Sequence, residues 1–94
     1  MFASPFYVYV CISLKDKKLY VGSTNNLERR QKEHADGLVT STRCRLPLEL
    51  IYYEVYRFEK DARMREKYLK GGGRARANLY IQLTETLAHY RLTE

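Results

Sequence analysis

The sequence predicts an α+β domain: a small antiparallel sheet with helices packed on it, in the order β-β-α-β-α-α. Three observations predict it. The runs "FYVYVCISL", "LYVGS" and "LELIYYEVY" are rich in β-branched and aromatic residues, as strands are. Three other segments carry helix starts, helix stops or four-residue apolar spacing. The 94 residues are room for one modest core, and no repeat, low-complexity tract or linker divides them, so a single domain over 1–94 is expected.

Residues 6–14 read as the first strand, "KDKK" (15–18) as a polar turn and 19–23 as the second strand, so that 6–23 forms an antiparallel hairpin. In "TNNLERRQKEHADG", Asn25 is expected to cap a helix, with Glu28 three residues on as in a capping box, and Asp36-Gly37 closes it. Residues 38–47 read as an exposed basic loop and 48–56 as the third strand. "EKDARMREKYLK" (59–70) is a second helix stopped by "GGG" (71–73). Residues 74–92 are expected to form a third helix, because Ala75, Leu79, Leu83 and Leu87 recur at four-residue intervals.

The second helix carries an anomaly. Its inward positions by spacing are Phe58, Ala62, Arg65, Glu66 and Leu69, which puts Glu66 on or beside the apolar stripe. Burying a lone carboxylate costs roughly several kcal/mol unless it is paired or holds a metal. An ion pair with a nearby arginine, or a place at the wet edge of the stripe, explains Glu66 without a function.

No apolar run approaches the ~20 residues of a membrane span. The opening "MFASPF" has no basic n-region, so a secretory signal is not expected. Cys11 and Cys44 lie far apart and are expected as reduced thiols; with His34 and His89 they show no zinc-ligand spacing. A cytoplasmic protein is the expectation. The net charge is +6 with a pI near 9.4, and it is uneven. Residues 57–76 hold Arg57, Lys60, Arg63, Arg65, Lys67, Lys70, Arg74 and Arg76 against only Glu59, Asp61 and Glu66. Clustered positive charge attracts polyanions, and nucleic acid is the commonest; a solvated helix face is the bland alternative. Arg43 and Arg45, with Thr40, Ser41 and Thr42 in the same loop, are further candidates for phosphate contacts.

"YVY" (7–9), "YVG" (20–22), Arg30, His34 and Glu66, in that order and covering most of the chain, resemble the GIY-YIG nuclease domain, most closely its small stand-alone bacterial members. "YVGSTNNLERRQKEH" is the most specific stretch and "EKDARMREKYLKGG" supports it. The resemblance implies a three-stranded antiparallel sheet flanked by helices and cleavage of phosphodiesters with one divalent ion, Mg2+ or Mn2+. It makes Tyr9 and Tyr20 the tyrosines of the two half-motifs and Gly22 the glycine of the second. It makes Arg30 and His34 the helix arginine and histidine, Glu66 the metal-binding glutamate and Asn78 a supporting asparagine. The first half-motif has Tyr7 in place of its glycine, both halves have valine for isoleucine, and Ser23 stands where some relatives place a lysine. The stretch 71–78 lacks the tryptophan of close relatives.

The residue types suit that chemistry. One carboxylate can hold a Mg2+ that keeps most of its waters, and the ion orients and polarises the phosphate. A guanidinium offers planar donors to the charge on the non-bridging oxygens. A phenol of pKa about 10 is a poor base at neutral pH, and a nearby cation favours its anion. One of the two tyrosines is the expected base and the other its positioning partner, Tyr20 being favoured as the base although residue types do not separate them, with His34 relaying a proton or orienting a hydroxyl. The expected function is a metal-dependent DNA endonuclease of repair or recombination, structure-selective or weakly sequence-specific. A non-cleaving nucleic-acid-binding module, or a subunit whose protein partner supplies the substrate, are the competing readings.

Overall fold

A computed structural model describes residues 3–91, so the expected last residue of the third helix, Leu92, lies outside the described residues. Strands β1 (Phe6–Ser13), β2 (Leu19–Thr24) and β3 (Leu48–Tyr56) form one sheet, and helices α1 (Leu27–Ala35), α2 (Glu59–Lys70), α3 (Gly73–Gln82) and α4 (Thr84–Arg91) pack around it. The strand order is β2-β1-β3, with β1 central and antiparallel to both neighbours. Tyr9 pairs with Gly22 on one side and Tyr53 on the other.

Strand alternation divides the two faces. Val8, Val10 and Ile12 of β1 and Leu19 and Val21 of β2 join Ala62 and Leu69 of α2, Ala75 and Leu79 of α3, Leu83, and Leu87 of α4 in one core. Tyr9 and Cys11 point the other way, toward His34 and Gln31 of α1. The sheet is thus a thin wall with α1 on one face and the remaining helices on the other.

Local departures from expectation have local causes. Asn26, not Asn25, caps α1: it is extended (φ −152°, ψ 99°) and its side chain accepts from the Arg29 N–H at 3.0 Å. Asn25 instead accepts from the Arg29 guanidinium at 2.7 Å. The expected third helix is two, broken at Leu83 (φ −107°, ψ 25°). The Thr84 hydroxyl donates back to the Ile81 carbonyl at 2.7 Å, a side-chain bond that competes with helix continuation. The four-residue spacing survives the break, and Ala75, Leu79, Leu83 and Leu87 are all buried. Phe58 is 60% exposed rather than inward, because it is the extended residue before α2 and helical periodicity does not reach it.

Arg65, placed among the candidate phosphate contacts, is committed elsewhere. Its Nε and Nη2 donate to the two oxygens of Glu54 on β3, each at 3.0 Å, and the Tyr52 and Tyr56 hydroxyls donate to the same carboxylate at 2.7 Å. Burial pushes the Glu54 carboxyl up, but Arg65 and the two tyrosines outweigh it and hold the group below its ordinary 4.5. A depressed folded value contributes stability that is present above the unfolded value and lost as pH falls through the folded one. Glu54→Gln should therefore lower the melting temperature at about pH 7 and flatten its fall between about pH 5 and about pH 3. Thermal melts of both proteins across that range check it; parallel curves would remove Glu54 as the cause.

Candidate active-site cleft

The edge strand β2 carries the site. Tyr20, Gly22, Ser23 and Thr24 line a cleft of about 510 Å³ whose other walls are Asn25, Arg29 and Arg30 at the start of α1 and Glu59, Arg63, Glu66 and Lys70 along α2. Phe6 also lines it. The arrangement follows from the topology. The hairpin ends at Thr24, the asparagine cap turns the chain at once into α1, and Arg30 stands in the next turn beside the strand it left. The turns of α2 that bear Glu66 and Lys70 reach the same edge from the opposite face of the sheet.

Behind this cleft lies a chain of hydrogen bonds. The Arg30 Nε–H donates to the Tyr9 hydroxyl oxygen at 3.4 Å. Tyr9 is 2.8 Å from His34 Nε2, and His34 Nδ1 is 2.8 Å from the Thr42 hydroxyl. Thr42 in turn donates to the Val39 carbonyl at 3.4 Å. With its own proton so directed, Thr42 accepts from an Nδ1–H, His34 Nε2 accepts the Tyr9 proton, and the Tyr9 oxygen is left to accept from Arg30. Burial, and then the Arg30 charge, push the His34 imidazole below its ordinary 6.5, which agrees with this neutral tautomer. Burial pushes the Tyr9 phenol far up, against the opposing bond from Arg30. Tyr9 is 0% exposed, whereas Tyr20 is only half-buried and faces the cleft. The two rings lie 6.2 Å apart, and the Tyr20 ring sits edge-on to His34 at 5.3 Å.

Glu66 is held by both oxygens. Ser23 donates to Oε1 at 2.5 Å and the Lys70 ammonium reaches Oε2 at 2.7 Å. Burial pushes the carboxyl up, but Lys70, Ser23 and the Arg63 charge hold it below its ordinary range, so the group is an anion at neutral pH. Its ion-pair partner is a lysine one turn along the same helix rather than a nearby arginine.

The structure thus brings Tyr20, Gly22, Arg30 and Glu66 into one cleft, with Tyr9 and His34 directly behind it. Asn78 is exposed on α3 and does not line it. Of the basic candidates, Arg63 and Lys70 line the cleft, Arg63 also bonding Glu59 at 2.5 Å. Lys67 and Arg74 are exposed and do not line it; they border a separate depression between α2 and the start of α3. Arg43 is exposed, Arg45 is half-buried and reaches the Leu19 carbonyl and Asp16, and Arg76 is half-buried on α3. Thr42 and Ser23 were not expected as partners of the site. Thr42 sits in a segment that reads as exposed loop but contains a short 3-10 turn (Arg43–Arg45) and buries Thr42 completely. A four-residue link from Val39 to a polar residue is too weak a signal to show that.

The same segments are recognised by comparison with known proteins. The family model described as the GIY-YIG catalytic domain matches residues 5–80. A UPF0213 protein of Clostridium perfringens is 45% identical over 65 residues, covering 68% of this chain and 69% of that one. The UPF0213 protein YazA of Bacillus subtilis is 40% identical over 78 residues, covering 82% and 76%. Among solved structures, the solution structure of a UPF0213 protein from Bacillus halodurans superposes with a TM-score of 0.52 at 30% identity, covering 84% of each chain. That match of the family model spans both half-motifs, α1 and α2, and on it the chain belongs to the GIY-YIG catalytic domain family.

Proposed function

We propose that the protein is an endonuclease that hydrolyses phosphodiester bonds in DNA with one divalent cation, Mg2+ or Mn2+. One observation carries the reading: a phenol, a guanidinium and an anionic carboxylate, from β2, α1 and α2, line the same basic cleft. The donor set fits a hard cation. Glu66 is a carboxylate at an open cleft with a hydroxyl beside it, the cleft's other carboxylate, Glu59, being bonded by Arg63, and Mg2+ is held by one or two carboxylates while keeping several waters. Bound at Glu66, such an ion supplies Lewis-acid charge to the phosphate.

The chain's own residues do the rest. Arg30, oriented by Tyr9 and by Glu33 at 3.1 Å, presents its remaining donors to the non-bridging oxygens as charge builds there. Tyr20, the phenol that reaches the cleft, is the group placed to receive the proton of the attacking water. The new P–O bond forms as the bond to the leaving oxygen breaks, and that oxygen is protonated from solvent. Tyr9 does not take that proton: it is buried and donates its own to His34. Its role is to hold Arg30 from behind. Phosphate contacts dominate affinity, so binding falls steeply with salt and sequence preference is weak. Branched or unpaired DNA, of the kind met in repair or recombination, suits such a site better than one duplex sequence.

The test is direct. The purified protein is incubated with supercoiled, single-stranded and branched DNA in Mg2+ or Mn2+, beside Arg30→Ala and Glu66→Ala. Metal-dependent cutting that both substitutions abolish supports the proposal. Salt-sensitive binding without nicking, under every metal tried, overturns it.

A further inference from the structure

Lys70 stands on the Glu66 oxygen that the Ser23 hydroxyl does not use. Its ammonium is 2.7 Å from Glu66 Oε2, while Ser23 occupies one lone pair of Oε1. The two carboxylate oxygens are not equally engaged. A hydroxyl donor leaves Oε1 a second lone pair and adds no net charge, so Ser23 is compatible with a cation on the same carboxylate. An ammonium on Oε2 is not, because two cations on one oxygen repel at contact distance.

The lysine is also free to leave. Its side chain is 49% exposed, against 17% for Glu66, and it lines the cleft with its end over the Tyr20 ring at 5.8 Å. Its spacing, one turn after Glu66 on the same face of α2, keeps it within reach of the cleft wherever the ammonium turns. Building on the reading that Glu66 takes a divalent ion, we infer that Lys70 is an internal counter-cation which occupies the metal position of the unloaded cleft and is displaced by the metal. It sets the metal affinity of the site, and once displaced it is a cleft-wall ammonium free to meet a phosphate oxygen. A phosphate that draws Lys70 away therefore also opens Glu66 to the metal, and by linkage metal favours phosphate in return.

The experiment uses the intact, DNA-free protein and measures Mn2+ binding by calorimetry for wild type, Lys70→Met, Lys70→Arg and, as a charge control, Lys60→Met. Lys60 is exposed on α2 and is not part of the cleft. Lys70→Met should bind Mn2+ roughly fivefold more tightly, the scale of a partly exposed ion pair. Lys60→Met and Lys70→Arg should bind close to wild type, since neither removes the charge beside Glu66. Nitrogen NMR of the lysine side chains supplies a second readout: the Lys70 signal should shift on Mn2+-analogue Mg2+ titration and the Lys60 signal should not. Equal Mn2+ affinity in Lys70→Met and wild type, or equal tightening in Lys60→Met, overturns the role of Lys70 and leaves the metal site standing. Absence of Mn2+ binding in every protein overturns the metal site itself, and this inference with it.

Discussion

Glu66→Gln should cut DNA roughly 10³-fold more slowly than wild type while melting within a few degrees of it. The substitution keeps the shape of the side chain and removes its charge. Ser23 can still donate to the amide oxygen, so the polar contact at 2.5 Å has a successor. What is lost structurally is the contact to Lys70, whose side chain is 49% exposed, and such pairs are worth roughly 0–1 kcal/mol. What is lost chemically is the anion that would hold the proposed cation. DNA binding without metal should hold or tighten slightly, because a negative charge leaves a cleft lined by Arg29, Arg30, Arg63 and Lys70. The three readouts are initial cleavage rate, binding at two salt concentrations and a thermal melt. Cleavage at the wild-type rate would remove Glu66 from the chemistry; a collapsed melt would show that the pair with Lys70 is a fold determinant instead.

The frame that carries this cleft is legible from residue types and order, because the local rules and the global fold agree there, whereas the choice of Tyr9, Tyr20, Arg30, His34 and Glu66 rests on the family resemblance. A β-branched strand, a glycine, an asparagine cap and a charged helix specify a strand-to-helix corner, and β3 and α2 lie where their patterns end, at Leu48–Tyr56 and Glu59–Lys70. The sequence is silent where two neighbours could do one job or where a partner is distant. Asn25 and Asn26 are both good caps, and only the backbone at Asn26 decides between them. Glu66 sits near several arginines in sequence, yet its partners are Lys70, one turn away, and Ser23, forty-three residues upstream on β2. Arg65 belongs by charge count to a basic patch, by helical spacing to the inward stripe, and by geometry to Glu54 across the core-facing side of β3. Charge counting sees the residue and not its counter-ion. Thr42, behind His34, is hidden for the same reason: a threonine in a loop has no periodicity to declare which way it points.

Gly22→Ala should cost at least about 2 kcal/mol and about 10 °C in melting temperature, and should cost cleavage as well. Backbone freedom is not the reason, since Gly22 lies in regular β2 pairing with Tyr9, outside the left-handed region. Space is the reason. A Cβ at this position falls 2.5 Å from the Tyr9 hydroxyl oxygen and 2.6 Å from the ring carbon that bears it. The ring cannot swing aside cheaply. It is wholly buried, and its hydroxyl is tied to His34 at 2.8 Å and Arg30 at 3.4 Å. Any movement that relieves the clash therefore drags the Arg30–Tyr9–His34 chain with it, which couples the glycine of the half-motif to the guanidinium in the cleft. A double-mutant cycle isolates this contact from any general effect on β2. Tyr9→Leu removes the phenol, and in that background the added methyl has room, so Gly22→Ala should there cost less than half of what it costs with Tyr9 present. An equal cost in both backgrounds would mean that the glycine serves the strand and not the tyrosine. In that case the path from Gly22 through Tyr9 to Arg30 carries no constraint, and the placement of Arg30 must come from α1 alone.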